Sequence, residues 1–427
     1  MFSTSLSIPP NAFAGGPEPA LGKERLVPPT RKQKYRKKIW RQFLAAKRQC
    51  WALLAYLRRH DPDNVHRQVL ERHGSFRCRT SPAYGTMAGV SMRGNEATWS
   101  GLSCCGSAWG CPICAPVILR HHQEKISVAF DVANENDYTV VFTTLTVPHK
   151  RFFSPTDLIF LIQAARKIYG KGGTRQRLER GMGRMGDITR LEVTDGPNGL
   201  HPHYHILTFF DCDLPEEGII NYIKYLSEKW TQACREVGLV DDHNAAAFAD
   251  HGFRAERVVI ERADTIAKYL AKMAFSQEMT NAGDGKRGKR GGRSMWDVLA
   301  GFTRGDPSDT DKWLSYLAAF YRKPVVRWSP RLKRKLGVDI LDDEQIVNTD
   351  DGAEVQRVYE VRHYQQVVHR GLWYPILRAV ESKNFKMLQN ISKKYAIDFI
   401  AVAEGYPDIT QRDDLQRPTP HGMARAA

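Results

Sequence analysis

Along residues 31–60 (RKQKYRKKIWRQFLAAKRQCWALLAYLRRH), apolar Trp40, Phe43, Leu44, Trp51, Leu54 and Leu57 recur at three-, four- and seven-residue spacings. That period predicts an amphipathic helix with these six on its buried side. The pattern then changes. YTVVFTTLTVPH (138–149) is a β-branched run closed by Pro148, and reads as a strand. SPTDLIFLIQAARKIYG (154–170) opens with a capping Ser, a Pro at the first helical position and an acid in the first turn, and stops at Gly170. This is a helix with its start and stop signals in place. DITRLEVT (187–194) and HYHILTFF (203–210) predict two strands around the turn-rich DGPNGL. PEEGIINYIKYLSEKWTQACREVG (215–238) predicts a helix with Ile219, Ile223, Leu226, Trp230 and Ala233 on one side. FRAERVVI (253–260) reads as a strand and DTIAKYLAKMAF (264–275) as a helix.

The order β-α-β-β-α-β-α is that of a ferredoxin-like split β-α-β unit plus one helix. The predicted class is α+β with a central antiparallel sheet, whose first and third strands lie at the centre. Beyond 276, NAGDGKRGKRGGR is a Gly-rich basic loop, SMWDVLAGF and DTDKWLSYLAAFYR read as helices, and RWSPRLKRKLG adds basic surface. Residues 345–427 are less informative, with one helix expected near 371–395. No internal repeat is present. The expected organisation is a flexible tail and basic helix (1–75), a Cys-rich module (76–125), a main domain with a basic closing segment (126–335) and a C-terminal accessory region (336–427).

Composition narrows the partners. A chain of 427 residues with 42% hydrophobic and 10% aromatic residues fits a folded protein of two to four domains. No apolar run approaches 18 residues, so no membrane span is expected. The first residues lack a basic stretch followed by an apolar one, which predicts a cytoplasmic protein. The formal net charge of +16 points to a polyanion. Between Lys23 and Arg48 stand eleven Lys or Arg and one acid, Glu24. Arg31, Lys32, Lys34, Arg36, Lys37 and Lys38 are candidate phosphate contacts, as are Lys286, Arg287, Lys289, Arg290 and Arg293 of the later loop.

Eight cysteines in a chain expected to stay reduced favour metal over disulfide. Cys104, Cys105, Cys111 and Cys114 fall within eleven residues, and C-P-x-C is a thiolate turn. Structural zinc is expected on Cys105, Cys111, Cys114 and Cys104, with Cys78 or His121 as alternatives for the fourth place. Cys50, Cys212 and Cys234 read as core.

HPHYHILTFF (201–210) puts three histidines at alternate positions, hence on one face of a strand. If the hairpin turn is symmetric about DGPNGL, paired positions sum to 395. Glu192 then faces His203, and Arg190 faces His205. Two imidazoles and a carboxylate with open positions suit a catalytic Mn²⁺, Mg²⁺ or Zn²⁺ site rather than a structural one. His201 stands as an alternative ligand. A cupin would want a Glu where Phe209 and Phe210 sit, and the H-x-H-x-D-H of metallo-hydrolases is absent. In KYLAK, Tyr269 and Lys272 share a helix face.

FTTLTVPH, HPHYH and KYLAK, in this order and spacing, resemble the three motifs of HUH endonucleases, above all the rolling-circle replication initiators (Rep proteins) of small plasmids and single-stranded DNA phages. By motif the likeness spans about 138–275, and more loosely the Cys-rich segment before it and MWDVLAGF and RWSPRLKRKLG after it. It implies metal ligands at His203 and His205 with Glu192 as a third, Mn²⁺ or Mg²⁺ as the cation, Tyr269 as nucleophile and Lys272 beside the phosphate. The implied activity is strand-specific nicking of origin DNA through a 5′-phosphotyrosine, followed by rejoining, with a host helicase and DNA polymerase as partners. Some relatives carry a second Tyr or a Glu one turn before the nucleophile; here Thr265 holds that place, with Asp264 and Glu261 nearby. An HUH transposase or relaxase fits the same chemistry. A zinc-dependent DNA-binding regulator with structural histidines is the rival of another class.

Overall fold

The computed structural model describes residues 31–84, 86–148, 154–258, 292–348, 354–359 and 361–401. It is α+β. In chain order its elements are α1 (Arg31–His60), α2 (Val65–Arg72), β1 (Ala88–Arg93), β2 (Glu96–Ser100), α3 (Cys114–Glu135), β3 (Thr139–Thr146), α4 (Pro155–Tyr169), α5 (Gly173–Gly181), β4 (Arg184–Gly196), β5 (Gly199–Phe210), α6 (Glu216–Glu236), α7 (Ala245–His251) and β6 (Phe253–Arg257). They continue with β7 (Arg293–Ser294), α8 (Met295–Thr303), α9 (Pro307–Phe320), β8 (Val326–Trp328), α10 (Pro330–Leu336), α11 (Asp343–Asn348), β9 (Glu354–Tyr359), α12 (Val361–His369), α13 (Trp373–Glu381), α14 (Phe385–Tyr395) and β10 (Ile400–Ala401). The helix expected at 264–275, and with it Tyr269 and Lys272, lies outside the described residues.

These elements fall into two units. The larger holds α1 from Lys38 onward, α2 to α11 and β3 to β8. Its sheet runs β6-β3-β5-β4-β7, with β8 also beside β4, and every neighbouring pair is antiparallel. The strands from the first and third β-branched runs, β3 and β5, are central. Alternation sends Phe209 toward Phe130 of α3, at 6.2 Å between ring centroids, and Phe210 toward Tyr222 of α6, at 5.4 Å. Both faces of β5 are therefore covered, and Ile206 to Phe210 are all buried. This is why HILTFF reads as a continuous apolar run rather than an alternating one.

Local signals act where expected. Ser154 caps α4 by accepting the Asp157 backbone N–H, and Pro155 opens the helix. The β4–β5 turn is two residues, Pro197 and Asn198, so the register sums to 395 along the hairpin, from Gly196–Gly199 to Ile188–Leu207. At the far end of β4 the register shifts between Arg184 and Gly186. A Cβ on Gly186 would lie 2.0 Å from Ser329 Oγ and 2.9 Å from Leu332 Cβ, so the bulge lets α10 seat directly on the strand.

The smaller unit comprises β1, β2, β9, β10, α12 to α14 and the start of α1 up to Lys37. Its sheet runs β10-β9-β1-β2. Trp99 of β2 anchors it: the ring lies 5.3 Å from Tyr359, 5.1 Å from Tyr364 and 5.8 Å from Trp373, and its Nε1–H donates to the Trp373 carbonyl at 3.2 Å. The segment after 345, expected to hold one helix, thus supplies a central strand and three helices.

Two expectations about packing are corrected. Trp51, placed on the apolar side of α1 by its spacing, is 49% exposed, because the buried stripe runs instead through Phe43, Ala46, Cys50, Leu53 and Leu57. Cys212, read as core, is exposed just past the end of β5, whereas Cys50 and Cys234 are buried. Helices α5 and α7 were not anticipated. No helix among the described residues is long and apolar enough to cross a membrane.

Candidate metal centre

Glu192, His203 and His205 meet on one face of the larger sheet. Glu192 of β4 pairs with His203 of β5, and Arg190 pairs with His205. The two imidazole Nε2 atoms each lie 3.0 Å from the same oxygen, Glu192 Oε2. Glu192 is 6% exposed and His205 3%.

The other ring nitrogens are also engaged. His205 Nδ1 lies 3.1 Å from Thr144 Oγ1, on the paired position of β3, and the ring stacks on Phe142 at 5.5 Å. His203 Nδ1 lies 3.3 Å from the His201 carbonyl. With Nδ1–H turned to that hydroxyl and that carbonyl, both Nε2 lone pairs would be open to a cation in place of the hydrogen bonds to Glu192, the arrangement typical of ligating histidines. Burial would raise the Glu192 carboxyl, but hydrogen bonds from His203 and His205, with the charges of His203 and Arg190, hold it well below its ordinary value. Burial lowers His205, outweighing the hydrogen bond to Glu192. An ionised carboxylate beside neutral imidazole is the donor state a divalent metal needs. The three donor atoms lie within 4.8 Å of one another. His201 is not in this group; its ring sits 5.4 Å from that of His203.

Arg190, Glu192 and Thr194 also line a recess with Trp109, Trp296 and Tyr316. Glu192 therefore borders an aromatic-walled depression within the larger unit.

The cysteines form a second group. Cys78, Cys105, Cys111 and Cys114 bring their sulfur atoms within 4.8 Å of one another. The Cys114 backbone N–H donates to Cys111 Sγ at 3.5 Å, as the C-P-x-C turn implies. Cys104 is not in this group, since its thiol donates to the Leu102 carbonyl at 3.6 Å, and neither is His121. Cys78, 27 residues upstream of Cys105, takes the place first given to Cys104.

The expected phosphate contacts divide. Arg36 pairs with Glu381 at 2.9 Å and also donates to the Ala97 carbonyl, while Lys37 lies 5.7 Å from the centre of the Tyr374 ring. Lys38 begins the larger unit's part of α1. Only the helical backbone is described for Arg31, Lys32 and Lys34, and Lys286, Arg287, Lys289 and Arg290 lie outside the described residues. Arg293 donates to Asp195 at 2.6 Å and to Asp309 at 2.7 Å, and Lys312 reaches Asp195 at 3.1 Å. Its first task is holding β7 to β4 and α9. Sequence reasoning missed this cluster, and missed Thr144 and Phe142 behind His205, because no turn ties β3 to β5 in sequence.

No family model matches the chain, and neither does any solved structure. A Streptomyces lividans protein described as "Protein rep" is 26% identical over 374 residues, covering 71% of this chain and 80% of that protein. Over most of its length, then, the chain is similar to a Rep protein.

Proposed function

We propose that the chain initiates rolling-circle DNA replication as a nuclease of the HUH type, nicking one strand of origin DNA with Tyr269. The observation that carries this reading is the Glu192–His203–His205 group, set at paired positions on the central hairpin of a sheet ordered β6-β3-β5-β4. That antiparallel strand order supports the reading, as does the likeness to a Rep protein. The net charge of +16 suits a DNA partner.

The donor set fits a divalent cation such as Mn²⁺ or Mg²⁺, which when bound would offset negative charge on the scissile phosphate. The chain's own residues do the rest. The Tyr269 oxygen attacks phosphorus and loses its proton, the bond from phosphorus to the 3′ oxygen breaks, and that oxygen leaves as a free 3′-hydroxyl. The 5′ phosphate stays on the tyrosine, so the bond can be re-formed when a 3′-hydroxyl returns. Lys272 neutralises the phosphate, and Thr144 and Phe142 fix the His205 ring. A host helicase and polymerase would use the exposed 3′ end. Cys78, Cys105, Cys111 and Cys114 are assigned to structural zinc, whose closed tetrahedral sites take four thiolates.

The test is incubation with supercoiled DNA bearing the element's own origin and Mn²⁺, with Tyr269→Phe as control, followed by denaturing gels. Covalent 5′-linked DNA is expected from the wild type alone. Nicking by both proteins without an adduct would make water the nucleophile. Binding by both without nicking would favour the DNA-binding regulator.

A further inference from the structure

The chain has nine tryptophans, all at described positions. Eight are 8% exposed or less, and Trp51 on α1 is 49% exposed. An aromatic ring of this size contributes most when covered, so a lone exposed tryptophan asks what covers it. Its surroundings are cationic. Arg48 lies one turn before it, Ala55 one turn after, and Arg59 a further turn on. At 100° per residue these four fall within an arc of about 80°, along roughly 16 Å of helix.

Arg48 and Arg59 are exposed and make no ion pair among the described residues. Arg58 is exposed too, but is held by Glu71 at 3.1 Å. Ala55 places only a methyl group beside the half-exposed indole. Tyr56, 37% exposed, flanks the stripe with its ring 4.7 Å from that of His60.

We propose that this face of α1 is a binding track for single-stranded DNA, in which Trp51 stacks on an unpaired base and Arg48 and Arg59 contact the flanking phosphates. Uncompensated guanidiniums on either side of a half-exposed ring are the two parts such a track needs. In a duplex the bases already stack on each other and offer the ring no face, so the exposed indole selects the unpaired strand. An apolar protein partner would leave both arginines to be desolvated without counter-charges. The inference rests on DNA being the partner, and adds which form of DNA is held and where.

The isolated exposure of Trp51 makes the test direct. Full-length protein carrying Tyr269→Phe, so that no covalent adduct forms, is titrated with a 20-nucleotide oligothymidylate without added divalent cation. Iodide should quench one class of tryptophan in the free protein, and the oligonucleotide should quench the same class. Trp51→Phe should abolish both signals. Trp51→Ala should weaken binding of a labelled strand about fivefold or more, with an unchanged salt slope. Arg48→Ala and Arg59→Ala should each lower that slope by about 0.7. Far-UV circular dichroism of each variant should match the parent.

An indole that iodide cannot reach, wild-type affinity in Trp51→Ala, or an equal loss for duplex of the same length would each overturn the track. Because no cleavage is scored, failure of the nuclease reading would show separately, as a chain that binds the strand through Trp51 but never nicks.

Discussion

Replacing Arg293 with alanine should destabilise the larger unit through the carboxylates it leaves behind. The guanidinium makes four hydrogen bonds, two to Asp195 at 3.1 and 2.6 Å and two to Asp309 at 3.1 and 2.7 Å. Asp195 is 2% exposed and Asp309 4%. After the substitution Asp195 keeps Lys312 Nζ at 3.1 Å, whereas Asp309 has no other ion pair among the described residues. Stranding one member of a buried pair costs roughly 3–5 kcal/mol. The Arg293 side chain is itself 36% exposed, so water can follow it in, and the cost should fall to about 2–3 kcal/mol. At about 2–4 °C per kcal/mol this lowers Tm by about 5–10 °C.

Urea unfolding followed by tryptophan emission reads it, since Trp313 lies on α9, which the clamp holds, and Trp296 on α8, which follows β7 directly. The double variant Arg293→Ala/Asp309→Asn removes the stranded charge and should recover at least half the loss. A cost below about 0.5 kcal/mol for Arg293→Ala, or a double variant less stable than the single one, would refute the reasoning. Arg293 would then be free for phosphate, as its sequence context suggested.

Three further outcomes are expected. Burial lowers His73 from its ordinary 6.5 to about 4, so the folded chain stays neutral there while the unfolded chain takes up a proton. The stability it contributes is whole above about pH 6.5 and drains away as pH falls toward 4, roughly 2 kcal/mol between pH 6.5 and 5. His73→Gln should flatten the urea-unfolding free energy against pH by one proton's worth, and an unchanged slope would show that the ring is not responsible. Gly186→Ala should cost about 1–3 kcal/mol by thermal unfolding, because the methyl group meets Ser329 and Leu332 and α10 must lift from β4; a variant as stable as wild type would mean the bulge tolerates a side chain. Elemental analysis should find one zinc per chain in Cys104→Ser and none in Cys78→Ser, and the reverse would restore Cys104 as a ligand.

How much could be read in advance depended on how far apart in sequence the partners lie. The hairpin register was legible because the two residues of its turn tie β4 to β5, so one symmetric turn brings Glu192 across from His203. The cap at Ser154 was legible for the same local reason. Thr144 was not, since its pairing with His205 depends on how a whole helix, α4, returns the chain to the sheet. Cys78 could be named only as an alternative, because 25 residues and a β-hairpin separate it from the cysteine cluster. The β1–β9 pairing joins residues more than 260 positions apart, and no local pattern in a six-residue strand names its partner. Trp51 misled because its spacing matched the apolar stripe, while the helix turns its buried side toward Cys50 and Leu53 instead.

The short span of the β4–β5 hairpin also sets an order of assembly during synthesis. Glu192, His203 and His205 lie within fourteen residues, so they can come together once the chain has emerged a little past Phe210, by closing one small loop. The sheet holding β1 and β2 must wait for β9, near the end of the chain. A nascent chain would therefore carry a formed Glu192–His203–His205 group while its N-terminal hairpin still lacked a neighbouring strand. A chain ending before Glu354 would keep the first and leave Ala88 to Met92 of β1 as an open edge, the kind of edge through which unfinished β-proteins associate.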